Sequence, residues 1–317
     1  MRAAILIEPK KIEVQGVLVP RPGPGQVRVR LSGCGVCASS VPLWEGRPWF
    51  DYPLSPGMPG HEGWGVIDDL GDRVTQWRVG TPVAIVSQHA FAEYDLVSES
   101  DALALPPQLS GAPFPGEPLG CAFNAFRRSG IQAGQHVAII GVGFLGGLLT
   151  TLCVHAGASV LAVSRRPYAL SLARKLGAER VMPLSDVSGT MAAIQEWTGG
   201  KGCECVIEAT GVQAALDLAT DATAIRGRIV IAGYHQDGMR QVDMQKWNWK
   251  GLDIINAHER DPRAHLNGMR QAVAAVTDGW LDPARLYTHE LSLEQLPEAF
   301  EMIRERRDGF VKALVRF

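Results

Sequence analysis

Several residue types that bind soft metals stand in two short segments and a third further on. Cys34 and Cys37 lie in Gly33-Cys34-Gly35-Val36-Cys37-Ala38-Ser39-Ser40, His61 in Gly60-His61-Glu62-Gly63-Trp64-Gly65, and Cys121 in Pro118-Leu119-Gly120-Cys121. Thiolate and imidazole suit tetrahedral zinc, and three protein ligands would leave one position open for catalysis. Residue types scattered in this way do not by themselves select a ligand set. Three further cysteines, Cys153, Cys203 and Cys205, read, like Cys34, as small core residues.

A second chemistry is written in Gly141-Val142-Gly143-Phe144-Leu145-Gly146, which follows the apolar run HVAII and opens the stretch FLGGLLTTLCVHAGA. Such a strand, glycine turn and helix bind the pyrophosphate of a dinucleotide. Gly141 allows the tight turn, Gly143 lets the backbone approach the phosphates, and Gly146 lets helix and strand pack closely. The helix start, at Phe144 and Leu145, adds amide donors and a partial positive charge. The next apolar run, ASVLAV, ends in Ser164-Arg165-Arg166 with no carboxylate. A carboxylate there would bind the ribose 2′-OH of NAD, whereas two guanidiniums and a hydroxyl suit a 2′-phosphate. NADP(H) is expected over NAD(H).

The elements that must hold these residues follow from turn chemistry and periodicity. Up to about residue 120 the chain reads as an antiparallel β region, with strands at Ala3–Ile7, Gln26–Ser32, Gly65–Asp69, Pro82–Val86 and Phe91–Leu96. From about residue 135 strands and helices alternate, which implies a parallel sheet with helices on both faces. A last helix is expected at Leu293–Arg304 with Ser292 as its N-cap, then a strand at Val311–Phe317. With 317 residues, 46% apolar and a net charge of −2, the chain carries no electrostatic footprint for nucleic acid. Its most apolar stretch, Val137 to Val154, is broken by four glycines and reads as strand, turn and helix rather than a membrane span. No secretory signal is legible at the start, so cytoplasm is expected.

The segments G-H-E-x-x-G-x-x-x-x-x-G from Gly60 to Gly71 and GVC-x-S at Gly35–Ser39 resemble the zinc-dependent alcohol dehydrogenases of the medium-chain dehydrogenase/reductase superfamily. The resemblance runs over essentially the whole chain. It implies an α/β fold, a doubly wound Rossmann sheet plus a mainly antiparallel, GroES-like catalytic domain. The expected boundaries are 1–122 for the first part of the catalytic domain, 123–257 for the nucleotide domain and 258–317 for the return. The same resemblance implies Cys37, His61 and Cys121 as ligands of one catalytic zinc, with Glu117 a rival third ligand. Glu62 becomes the neighbouring carboxylate that can approach the metal. Ser39 becomes the first proton acceptor, and Tyr234 and His258 stand where relatives contact the nicotinamide end.

Three departures bear on the chemistry. GTPVAIVSQHAFAEYDLV runs on with no cysteine, so the second, structural zinc lobe is missing. Ser40 replaces the aspartate that orients the zinc-bound histidine in many relatives, which should weaken that ligand's orientation. Pro42 stands where a histidine often ends the proton relay, a role for which His258 is the candidate replacement. The expected activity is interconversion of a small alcohol with an aldehyde or ketone, in a homodimer or homotetramer. Zinc-dependent or zinc-free reduction of an iminium, enal or quinone by NADPH is the competing reading. Trp44, Trp49, Phe50 and Trp64, close in sequence to the metal motifs, are candidates to line the site as much as to fill the core.

Overall fold

Short strands with inward-facing Val, Leu and Ile build the first part of the chain. The structure, a computed structural model, describes residues 1–317, which divide into one unit of Met1–Gly120 with Pro262–Phe317 and another of Cys121–Asp261. In the first unit β1 (Arg2–Glu8) and β2 (Lys11–Gly16) pair as an antiparallel ribbon. There follow β3 (Gln26–Gly35), α1 (Val41–Glu45), β4 (Glu62–Leu70), β5 (Pro82–Ile85), β6 (Tyr94–Ser98) and β7 (Ala102–Ala104). Helix α2 (Gly116–Ser129) starts in this unit and runs on into the next.

The second unit carries β8 (His136–Ile140), α3 (Phe144–His155), β9 (Ser159–Ser164), α4 (Pro167–Lys175), β10 (Arg180–Pro183) and α5 (Val187–Trp197). Then come β11 (Cys203–Glu208), α6 (Gln213–Ala222), β12 (Thr223–Ile231), α7 (Met244–Lys250) and β13 (Asp253–Asn256). The six strands are parallel in the order β10-β9-β8-β11-β12-β13. Strand β8 is buried along almost its whole length, as a strand covered on both faces must be. The winding reverses between β8 and β11, so their carboxyl ends form the switch point where doubly wound sheets bind ligands. The glycine turn after β8 lies at that point.

The chain returns to the first unit through α8 (Pro262–Thr277), β14 (His289–Ser292), α9 (Leu296–Glu305) and β15 (Ala313–Arg316). The seven-stranded sheet there has the order β14-β15-β3-β4-β5-β7, with β6 beside β3. Val27, Val29 and Leu31 of β3 alternate inward onto Ile67, Ile85, Phe91, Phe300 and Val315. Ser292 forms a capping box with Gln295 and starts a 3-10 turn that leads into α9, close to the expected start.

Some boundaries differ from expectation. β6 begins at Tyr94, because Phe91 and Ala92 instead bond to β1, through Ala4 N to Phe91 O and the bridge between Ala3 and Ala92. The ribbon strand β2 has only Ile12 and Val14 half-buried between polar residues, a pattern too thin to stand out. Helices α1, α2, α7 and α8 lie outside the elements expected from the sequence. The loop from β5 to β6 occupies only residues 86–93, where Ser87 Oγ donates to Asp95.

Candidate functional site

Strand β3 ends at Gly35, and Cys37 follows with extended backbone as the cap of a 3-10 turn, Ala38–Ser40. His61 directly precedes β4, which pairs with β3 through Gly35 and Glu62. That register carries Cys37 and His61 to the same end of the sheet, where the ligand atoms of Cys37, His61 and Glu62 all lie within 4.8 Å of one another. Ser39 Oγ donates to Cys37 Sγ at 3.2 Å and stands 3.5 Å from His61 Nε2.

The other imidazole nitrogen, Nδ1, lies 3.0 Å from the carbonyl oxygen of Pro59. A carbonyl only accepts, so Nδ1 carries the proton and donates it, and Nε2 faces Cys37. With Nδ1–H held by Pro59, the Nε2 proton is the one a metal ion would displace. The orienting group expected to be lost with Ser40 is thus supplied by the backbone of Pro59, to which Ser40 Oγ also points at 3.5 Å. Burial pushes the His61 imidazole down, but the hydrogen bond and charge of Cys37, then Glu117 and Glu62, outweigh it and hold it at about 10. The cradle therefore favours a cation, and its sulfur and nitrogen donors are those zinc takes.

Glu62 is completely buried and meets a buried lysine, Lys312, whose Nζ lies 2.6 Å from Oε1 and 2.5 Å from Oε2. Burial pushes the Lys312 ammonium down, but Glu62, with Cys37 and Glu117 beyond it, outweighs that and raises it above its ordinary range. Any Cβ on Gly35 would collide with the Glu62 carboxylate, so a glycine is required beside the pair. Glu117, in the first turn of α2, has Oε1 3.8 Å from Nε2 of His265 on α8. Cys121 follows one turn later on α2, its sulfur within 4.8 Å of the Glu117 carboxylate.

In the second unit Gly141 has φ of +105°, open only to glycine at low cost, and a Cβ on Gly146 would strike the Gly141 carbonyl oxygen. Gly143 caps α3 with nothing within 4 Å of its Cβ position, which leaves backbone open to a ligand. Phe144 is buried and Leu145 half-buried in the first turn. Ser164 is buried at the end of β9, Arg165 is exposed, and Arg166 Nη2 donates to the Val142 carbonyl at 3.2 Å across the glycine turn. Past β12 and β13, Tyr234 and His258 pack ring to ring at 5.4 Å beside a cavity of about 400 Å³ that also exposes Arg128, Asn256 and Arg260. His258 Nε2 lies 3.2 Å from the Gly233 carbonyl and so donates to it, which commits that nitrogen.

Trp44 stacks on Phe300 at 5.5 Å and Trp64 is 2% exposed, so both are core residues, while Trp49 is exposed. Cys34, Cys153, Cys203 and Cys205 are buried with thiols pushed up by burial. The sequence reading missed Lys312 and His265. A lysine inside the apolar run VKALV signals a buried position needing a partner, whereas nothing local marks His265.

Residues 23–164 match the alcohol dehydrogenase GroES-like domain and residues 145–275 the zinc-binding dehydrogenase family. The chain is similar to the (R,R)-butanediol dehydrogenase of Bacillus subtilis strain 168, at 29% identity covering 100% of this chain and 99% of that protein. The crystal structure of 2R,3R-butanediol dehydrogenase from Bacillus subtilis superposes with a TM-score of 0.87 at 27% identity, covering 100% and 99% of the two chains. A chain of Sinorhizobium meliloti 1021 solved bound to NADP gives 0.85 at 25% identity, again over 100% and 99%.

Proposed function

Because the chain belongs to the zinc-dependent, alcohol dehydrogenase-like proteins of the medium-chain dehydrogenase/reductase superfamily, we propose that it interconverts a small alcohol and an aldehyde or ketone with NADP(H) and one zinc. Cys37, His61 and Cys121 hold the metal in this reading. Zinc, when bound, polarises the substrate oxygen and eases loss of the alcohol proton. The observation that carries the reading is His61, whose Nδ1 is occupied by Pro59 while Nε2 is turned to Cys37.

The remaining roles fall to the chain's own side chains. Ser39 Oγ, next to Cys37 and His61, accepts the alcohol proton in oxidation as its own hydroxyl proton passes onward, and the exchange runs backwards in reduction. Lys312 holds the Glu62 carboxylate, so an approach of Glu62 to the metal would have to break a buried ion pair. The turn from Gly141 to Gly146, with the first turn of α3 at Phe144 and Leu145, receives the pyrophosphate. Ser164, Arg165 and Arg166 receive the 2′-phosphate, and Tyr234 borders the nicotinamide. His258 moves the proton outward only through Nδ1, because Nε2 is bonded to Gly233. Residues 1–122 and 258–317 then form the catalytic domain and 123–257 the nucleotide domain.

A zinc-free reduction of a quinone, enal or iminium would leave the Cys37–His61 cradle without use and is disfavoured. No helix is long and apolar enough to cross a membrane. Assembly as a homodimer or homotetramer would use β13, the edge of the six-stranded sheet. The reading is tested by elemental analysis together with NADPH oxidation over a panel of aldehydes and ketones. Zinc-free protein that turns over NADPH at full rate would overturn it.

A further inference from the structure

Two glycines let helix α8 press against the start of α2. A Cβ on Gly120 would stand 2.7 Å from Met269 Cγ, 3.0 Å from its amide nitrogen and 3.2 Å from the His265 carbonyl oxygen. A Cβ on Gly116 would stand 2.8 Å from Met269 Cε. One turn apart on α2, the two glycines clear a face for α8, and that approach sets His265 against Glu117.

The contact is unusual for an imidazole. His265 Nε2 is buried and has no hydrogen-bond partner, and its side chain is 13% exposed. Glu117 Oε1 is 3.8 Å away, beyond hydrogen-bond length. A buried polar nitrogen left in this way is a cost unless something bonds to it. Two ligand atoms held about 2.1 Å from one tetrahedral ion lie about 3.4 Å apart, close to the separation seen here. Cys121 of the next turn brings a thiol within 4.8 Å, giving carboxylate, imidazole and thiolate around one point.

We propose that His265 is a metal ligand, acting with Glu117 and Cys121 as a second seat for the zinc. The proposal rests on the zinc reading above for the identity of the ion. One ion per chain remains the expectation, because Cys121 belongs to both ligand sets. The second seat exchanges the Cys37 thiolate and His61 imidazole for a carboxylate and the His265 imidazole, which keeps the formal ligand charge and replaces one soft sulfur donor with a hard oxygen.

The test uses the full chain, stripped with a chelator and titrated with cobalt(II) alone, followed by its visible absorption and by zinc competition. His265→Ala and Glu117→Gln should each weaken metal affinity and shift the cobalt d–d bands, and each should abolish the binding that remains in Cys37→Ala, while thiolate-to-cobalt absorption persists in the single variants. His89→Ala, a histidine in the β5–β6 loop, should leave affinity and spectrum unchanged. Should His265→Ala fail to fold, His265→Gln and the near-isosteric Glu117→Gln carry the same test. Wild-type affinity and spectrum in both His265 and Glu117 variants would reduce the pair to a structural contact and overturn the proposal, while Cys37→Ala abolishing binding would leave the zinc reading standing. Wild-type protein that binds no cobalt would overturn both.

Discussion

Lys312 and Glu62, 250 positions apart in the chain, face each other as a buried ion pair, with Nζ within 2.6 Å of both carboxylate oxygens. The pair ties the terminal strand to the start of β4, directly after His61. A buried pair is weak evidence of stability in itself, but removing one member leaves an uncompensated charge. Lys312→Met should therefore destabilise the first unit by about 3–5 kcal/mol, read as a lowered midpoint in urea unfolding. Lys312→Met with Glu62→Leu should recover much of that loss. A single Lys312→Met variant as stable as the parent would contradict the burial argument.

One zinc per chain is expected, because the β5–β6 connection has no cysteines for a structural site. Cys37→Ala and His61→Ala should each lose the activity and the metal seat at the end of β3, while the second unit keeps its fold, since its core is its own. Elemental analysis finding two tightly held zinc ions would rule this out.

NADP(H) should be preferred by about tenfold or more, since a hydrogen bond to a charged group is worth roughly 1.5–3 kcal/mol. Arg166 already reaches the glycine turn through Val142, so it lies against that turn rather than free in solvent. Replacing Arg165 and Arg166 with alanine should remove most of the preference, measured as the ratio of kcat/KM for the two cofactors. Equal ratios before and after would remove both arginines from cofactor selection.

Ser39→Ala should lower the rate of alcohol oxidation about a hundredfold or more with little change in cofactor affinity, the size expected for a lost proton-transfer group. Unchanged oxidation would take Ser39 out of the proton path.

His258→Ala should slow oxidation less than Ser39→Ala does, because only Nδ1 is available for proton transfer. Added small buffers should restore part of the rate. An unchanged pH–rate profile would leave direct exchange with solvent as the proton exit.

Much of this architecture is local and therefore legible along the chain. The β8–turn–α3 unit follows from an apolar run meeting three glycines, and the structure supplies the reasons: positive φ at Gly141, open backbone at Gly143 and the contact of Gly146 with the Gly141 carbonyl. The regular alternation after residue 135 similarly announces the parallel sheet. Cys37 and His61 are close in sequence to the antiparallel strands β3 and β4, so pairing alone brings them together.

What the sequence could not disclose depends on partners distant along the chain or on backbone atoms that carry no residue label. Pro59 holds His61 through its carbonyl oxygen, a group every residue possesses and one that the serine at position 40 gave no sign of. Lys312 reads as a stray charge in a strand until β15 pairs with β3 and sets it against Glu62. His265 becomes visible only once Gly116 and Gly120 let α8 close on α2. Periodicity and turn chemistry are properties of neighbours in the chain, and they determined most of the elements and the glycine turn, while the metal-ligand set came from the family resemblance. The charge balance around those motifs is a property of neighbours in space, and only the packed structure decided it.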